Sequence, residues 1–183
     1  MVSRIIGLLL IILLLPLFIV ISLIIVLDDG FPIIFIQKRI GKNKKTFNIY
    51  KFRTMKKNTK NIATHLMERG DNIILKSGHF IRKYSIDELP QAINIVFGNM
   101  NFIGPRPALY NQKKLIQLRD RYNINNIKPG ITGWAQVNGR DSLSSEEKVK
   151  YDYEYIKNKN FKLNLLILYR TLFNVFFKKN VSH

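Results

Sequence analysis

The chain opens on an uninterrupted apolar run. From Ile5 to Leu27 it reads IIGLLLIILLLPLFIVISLIIVL, with no charge between Arg4 and Asp28. As a straight helix this run is roughly 34 Å long, against a bilayer hydrocarbon core of about 30 Å, so it is read as a membrane segment. It is longer than the apolar core of a cleaved leader, and no small-residue cleavage pattern follows it. Pro16 falls mid-run, where it removes a helical hydrogen bond. Two arrangements answer to that: a spanning helix with a tolerated kink, or a helix-break-helix hairpin that enters and leaves by one face. Lys38, Arg39, Lys42, Lys44 and Lys45 follow the segment while Arg4 alone precedes it, which puts the remainder of the chain in the cytoplasm.

Beyond Asp28 the pattern changes period. Pro32 to Ile40 and Thr46 to Phe52 are β-branched and aromatic, with polar Gly41 to Lys45 between them, predicting a β-hairpin with a five-residue loop. Lys51 and Arg53 then share one face of the second strand. Asn58 to Asn72 is polar and aperiodic, a surface excursion. Ser85 to Phe97 predicts a short helix closed by Gly98. The rigid turn Gly104-Pro105-Arg106-Pro107 leads into an amphipathic helix from about Leu109 to Arg121. Lys128 to Arg140 (KPGITGWAQVNGR) is too rich in glycine for a helix and reads as a structured loop. From Ser145 onward the chain is helical, and Phe161 to Phe177 interrupts its apolar positions with Lys162, Arg170 and Asn174. That pattern fits a helix lying in a membrane interface, and equally one packed on a core. The expected fold class is α+β: a membrane helix over residues 1–28 and a cytoplasmic domain over 29–183, with a small hairpin and amphipathic helices.

Composition narrows the chemistry. The 183 residues carry 30 Lys+Arg against 12 Asp+Glu, a formal charge of +18, which points to anionic partners such as phosphorylated substrates or anionic lipid. A hydrophobic content of 46% excludes general disorder, and the absence of cysteine excludes disulfides, zinc ribbons and thiol nucleophiles. His65, His79 and His183 lack metal-ligand spacing, and Trp134 is a packing residue or a stacking surface. No nucleotide-binding glycine loop or nucleic-acid-binding signature is present.

The candidate chemistry lies in Ser85-Ile86-Asp87-Glu88-Leu89-Pro90-Gln91. Ser85 with Glu88 reads as a capping box, and Asp87 as N-cap is a second frame that places Pro90 in the first turn. Either frame sets both carboxylates at a helix start, a site that favours negative charge. In a basic setting such a pair offers a nucleophile, a base or ligands for a divalent cation, with nearby positive charge offsetting its repulsion from phosphate. Lys51, Arg53, Arg82, Arg106 and Arg140 are spaced too irregularly for one helical stripe. Arg106 between two prolines is conformationally fixed, which suits a bidentate grip on phosphate.

Taken in order, the proline-centred apolar segment, PIIFIQKRIG, FNIYKFRTM, SIDELPQ, GNMNFIGPRPALYNQ and KPGITGWAQVNGRD resemble the bacterial sugar transferases, small monotopic phosphoglycosyl transferases. The ending YDYEYIKNKNF is most similar to members that transfer acetamido-deoxysugar phosphates in capsule and O-antigen assembly. The resemblance implies transfer of sugar-1-phosphate from a UDP-sugar to polyprenyl (undecaprenyl) phosphate at the inner membrane, with UMP released and Mg²⁺ required. It implies Asp87 as a nucleophile forming a phosphosugar-aspartyl intermediate, Glu88 as the second carboxylate, and both as metal ligands. It matches Lys51, Arg82 and Arg106 to basic motif positions that bind phosphate, and makes Pro16 the break of a re-entrant helix; Arg53, Gln136 and Arg140 are further candidates for phosphate and substrate binding. Leu15 stands where the family often has Ser before that proline, and Asn164 where it often has Asp. Two rival readings remain: direct transfer in a ternary complex, and a non-catalytic basic module that binds polyanions at a membrane.

Overall fold

The computed structural model describes residues 1–57, 59 and 73–177; the excursion expected over Asn58 to Asn72 lies almost wholly outside them. The chain divides into two compact units, one built mainly from Met1–Gln37 with Ile49–Val96 and the other from Lys38–Asn48 with Phe97–Lys178. The apolar segment packs within the first unit.

In the first unit, helix α1 (Val2–Asp29) runs on through Pro16 without interruption, where a helix-break-helix hairpin was one expectation. Its inward positions include Ser3, Gly7, Leu10, Ile11, Leu14, Leu17, Phe18, Ile21, Ser22 and Ile25, one stripe at helical spacing that keeps phase across the proline. Gly7 lies where an added Cβ would come within 3.3 Å of Ile95 and 3.4 Å of Val96, so its lack of a side chain sets a close approach. Ile21 and Ile25 join Phe52, Leu75 and Ile81 in a buried cluster, and Phe18 meets Phe52 edge to face at 5.4 Å. The remaining face of α1 leaves Leu8, Leu9, Ile12, Leu13, Leu15 and Leu23 about half exposed or more.

Strands β1 (Ile34–Ile40) and β2 (Thr46–Phe52) form the expected hairpin, closed by a short 3₁₀ turn, Lys42–Lys44. Its base belongs to the first unit and its tip to the second. Helix α2 (Lys76–Lys83) begins at Leu75, which cannot cap, and the Asp28 carboxylate does so instead. It accepts from the Ser77 backbone N–H at 2.8 Å and from its hydroxyl at 2.7 Å. Helix α3 (Gln91–Val96) ends, as the sequence predicts, just before Gly98 at φ 79°.

In the second unit, the three-residue strands β3 (Asn101–Ile103) and β4 (Gly130–Thr132) pair in parallel, Asn101 opposite Gly130 and Ile103 opposite Thr132. The segment read as a loop thus contains a strand and a one-turn helix, α5 (Trp134–Val137). Its glycines serve the approach of two backbones: a Cβ on Gly130 would collide with the Gly104 amide, and one on Gly133 with the Gly104 carbonyl. Helix α4 (Lys113–Asp120) starts four residues later than expected, because Gln112 folds back so that its side-chain oxygen accepts from the Leu109 N–H at 2.9 Å, holding that stretch as a turn. Helix α6 (Ser145–Asn158) carries a true capping box, Ser144 with Glu147. Helix α7 (Phe161–Phe177) buries Ile167 with Val137 and Tyr155, while Phe161, Tyr169, Leu172, Phe176 and Phe177 stay exposed.

Candidate active site

The segment with the acidic pair folds in neither capping frame. Ser85 takes a left-handed conformation (φ 54°, ψ 23°), and its side chain caps nothing. Its backbone turns the chain instead: its N–H donates to the Arg82 carbonyl at 2.9 Å, and its own carbonyl accepts from the Glu88 N–H at 3.1 Å. Ile86–Glu88 is consequently one turn of 3₁₀ helix, with α3 starting only after Pro90. The two carboxylates ride on a tight turn between two helices of the same unit.

β2 delivers the cation to that turn. The Lys51 Nζ donates to Glu88 Oε1 at 2.8 Å and lies 3.4 Å from Asp87 Oδ2. The three side chains keep only 15%, 13% and 9% of their surface, for Lys51, Asp87 and Glu88 respectively. Little solvent screening is left between them, so attraction at this range is several-fold stronger than in bulk water. One lysine against two carboxylates leaves the trio one negative charge in excess. Arg82, in the last turn of α2, is buried at 8% exposure and opens the turn through its carbonyl.

Asn94 is a tie behind the acidic turn that the sequence reading missed. Its side chain is fully buried on α3, and its Oδ1 accepts from the Tyr50 N–H at 3.2 Å, one residue before Lys51. This bond fixes the strand carrying the lysine to the helix that follows the carboxylates. Its only signal was a polar residue inside QAINIV. Gln91, at 1% exposure, also lies close in sequence to the dyad, and its buried Nε2 has no hydrogen-bond partner among the described residues.

Arg53 has a different setting from Lys51. Its Nη1 binds Asp29 Oδ2 at 2.6 Å, and its Nη2 reaches the carbonyls of Asp29 at 3.2 Å and Gly30 at 2.5 Å. Its guanidinium fork clasps the end of α1. Arg106, Gln136 and Arg140 belong to the second unit. The Gln136 Nε2 donates to the Ile131 carbonyl at 3.3 Å, and Arg140, at φ 53°, lies 3.9 Å from Asp141. Trp134 has protein partners: Nε1 donates to Glu154 at 3.1 Å, and the Arg170 guanidinium sits 5.1 Å from the ring centre. Asn164 accepts from the Tyr155 hydroxyl at 3.0 Å.

Among the described residues no three or more acidic or histidine side chains converge as a metal cage. A carboxylate pair without a cage is the donor set that suits Mg²⁺, which completes its octahedron with water and substrate phosphate oxygens. Asp87 and Glu88 would offer oxygen donors of that kind.

The chain is 38% identical over 165 residues to the UDP-N-acetylgalactosamine-undecaprenyl-phosphate N-acetylgalactosaminephosphotransferase of Aeromonas hydrophila, an alignment covering 86% of this chain and 38% of that protein. It is 37% identical over 171 residues to the UDP-glucose:undecaprenyl-phosphate glucose-1-phosphate transferase of Escherichia coli (strain K12), covering 90% of this chain and 37% of that one. Against these two it spans well under half of the relative's length. Against the uncharacterized sugar transferase EpsL of Bacillus subtilis (strain 168) it is 39% identical over 156 residues, covering 85% of this chain and 76% of that protein. The family model described as bacterial sugar transferase matches residues 1–178, taking in the apolar helix, the hairpin, the acidic turn and both glycine-rich turns of the second unit. By that match the chain belongs to the bacterial sugar transferase family.

Proposed function

We propose that this chain transfers sugar-1-phosphate from a UDP-sugar to undecaprenyl phosphate and releases UMP, with Asp87 as the nucleophile. The observation that carries the reading is the acidic turn with its shared lysine, in a unit built onto an apolar helix. An Asp87 oxygen attacks the phosphorus that bears the sugar. The bond from that phosphorus to the bridging oxygen breaks, and UMP leaves with the electron pair. An oxygen of the lipid phosphate then attacks the same phosphorus, forming the lipid diphosphosugar and returning Asp87 as a free carboxylate. Mg²⁺ bound through Asp87 and Glu88 would supply positive charge to the diphosphate oxygens. Lys51 holds the two carboxylates at a fixed separation and offsets their repulsion from the incoming phosphate. Arg82, Arg106, Gln136 and Arg140 are assigned to substrate contacts, and Arg53 acts there through its hold on the end of α1.

A monotopic placement at the cytoplasmic face of the inner membrane accompanies this reading. Gly7 and Ile25 both pack on the first unit, yet they lie about 27 Å apart along the axis of α1. A helix crossing a hydrocarbon core of about 30 Å would carry those positions to opposite sides, where one folded unit could not hold both. The apolar face left bare on α1, and the exposed aromatic side of α7, are then the surfaces for lipid.

The test is to incubate the protein with UDP-sugar labelled in the sugar phosphate, without lipid acceptor, and to map any covalent label. Label on Asp87, absent from Asp87→Asn, supports the two-step route. Direct transfer in a ternary complex predicts no label and no exchange of UMP into UDP-sugar without acceptor. A panel of UDP-sugars scored by UMP release identifies the donor, with acetamido-deoxysugars and glucose the first to try. Equal release by Asp87→Asn would refute the assignment.

A further inference from the structure

The turn that carries Arg106 is held by its carbonyls to an unusual degree. Four successive carbonyl oxygens each accept a hydrogen bond: Pro105 from the Gly130 N–H at 3.0 Å, Arg106 from Arg119 Nη1 at 2.9 Å, Pro107 from Arg39 Nη1 at 3.1 Å, and Ala108 from the Ile40 N–H at 2.9 Å. The flanking prolines restrict the torsions on both sides of Arg106.

The donor to the Arg106 carbonyl is costly to install. Arg119 on α4 is 5% exposed, and its counter-ion Asp152 on α6 is 1% exposed. Both Nε and Nη2 of Arg119 go to Asp152 Oδ2, at 3.1 and 2.6 Å, which leaves Nη1 for the carbonyl. A buried pair of this kind often adds little stability over apolar side chains, and what it supplies here is a fixed donor geometry at the Arg106 carbonyl. We infer that Arg119, oriented by Asp152, is a positioning residue: it fixes the backbone of Arg106 so that the guanidinium of Arg106 is presented to a phosphate of the sugar nucleotide. Arg39 does the same for the next residue. This rests on the reading of Arg106 as a phosphate ligand given under Proposed function.

A double-mutant cycle separates positioning from plain support of the fold. Arg119→Lys keeps the charge but loses the fork that spans Asp152 and the carbonyl. In the parent it should lower kcat/KM, and affinity for UDP-sugar measured by equilibrium binding, by about tenfold. In an Arg106→Ala background, itself impaired, the same change should cost less than about twofold. Equal losses in both backgrounds would overturn the inference, since a general structural role is indifferent to the side chain at 106. If Arg106→Ala alone keeps full activity and affinity, the inference falls with the phosphate reading, and that single variant identifies which one failed. Should Arg119→Lys not fold, Arg39→Lys, outside the buried pair, takes its place in the cycle. A smaller loss in the Arg106→Ala background then supports positioning, and an equal loss overturns it.

Discussion

Replacing Lys51 with methionine removes the cation shared by Asp87 and Glu88 while keeping the length and apolar stem of the side chain. Nζ lies 2.8 Å from one carboxylate and 3.4 Å from the other, and all three side chains are at most 15% exposed. Taking one partner from a fully buried pair costs about 3–5 kcal/mol. Here the residual exposure lets water reach the carboxylates, so about 2 kcal/mol is expected, in line with a lost hydrogen bond to a charged group. For a chain of this size that is a fall in Tm of roughly 4–8 °C, measurable by intrinsic fluorescence in detergent or nanodiscs. Activity should suffer more than stability. Losing one preorganised group that stabilises charge at the reacting centre lowers kcat by about 10²–10³-fold, read as UMP release at saturating UDP-sugar. Lys51→Arg should recover part of the stability and less of the rate, because a planar fork cannot take the place of a compact ammonium between two carboxylates. A Lys51→Met protein that melts within a degree of the parent and turns over within about threefold of it would refute the electrostatic account of the acidic turn.

Other outcomes follow from single contacts. Asn94→Ala strands the Tyr50 N–H and should cost about 1–3 kcal/mol in thermal melts, with kcat falling alongside because the Lys51 strand loses its tie to α3. Gly7→Leu adds bulk where a Cβ alone already meets Ile95 at 3.3 Å, so the same melts should show a loss of about 1–3 kcal/mol, whereas Leu13→Ala on the bare face should change little. The Asn125 amide, with Lys44 beside it, holds the Asp120 carboxyl below the ordinary aspartate value. A lowered folded pKa means the stabilisation is present above the ordinary value and lost as pH falls through the lowered one. Parent and Asp120→Asn should therefore differ in stability near neutral pH and converge in strong acid, as followed by urea titrations across that range.

How much could be read in advance depended on how local each determinant is. The hairpin was legible because two β-branched runs flank Gly41 to Lys45, and turn chemistry acts over a few residues. The end of the helix after Val96 was legible for the same reason, through Gly98. Lys51, Asp87 and Glu88 were named as candidates, but their meeting is a tertiary fact that Asn94 and Tyr50 enforce across more than forty positions of chain. The capping box foreseen at Ser85 failed because the chain has to reverse there, and the reversal takes Ser85 into the left-handed region, where its side chain makes no cap. Arg53 was grouped with Lys51 by strand alternation, which says nothing of Asp29 waiting at the end of α1. The pairing of β3 with β4 was beyond reach, since three-residue strands carry almost no periodicity and their glycines read as loop.

The fastening of α1 has a consequence for its length. Its end is secured by Asp28 on Ser77 and by Asp29 on Arg53, while Gly7 is wedged against α3 near the other end. Adding or deleting one residue between them would rotate one end against the other by about 100° and shift it by about 1.5 Å. An ordinary lipid anchor, made only of greasy bulk, tolerates such an edit. In this protein the segment behaves as a keyed shaft, and a single-residue change in its middle would have to unseat either the glycine notch or the two acidic bolts.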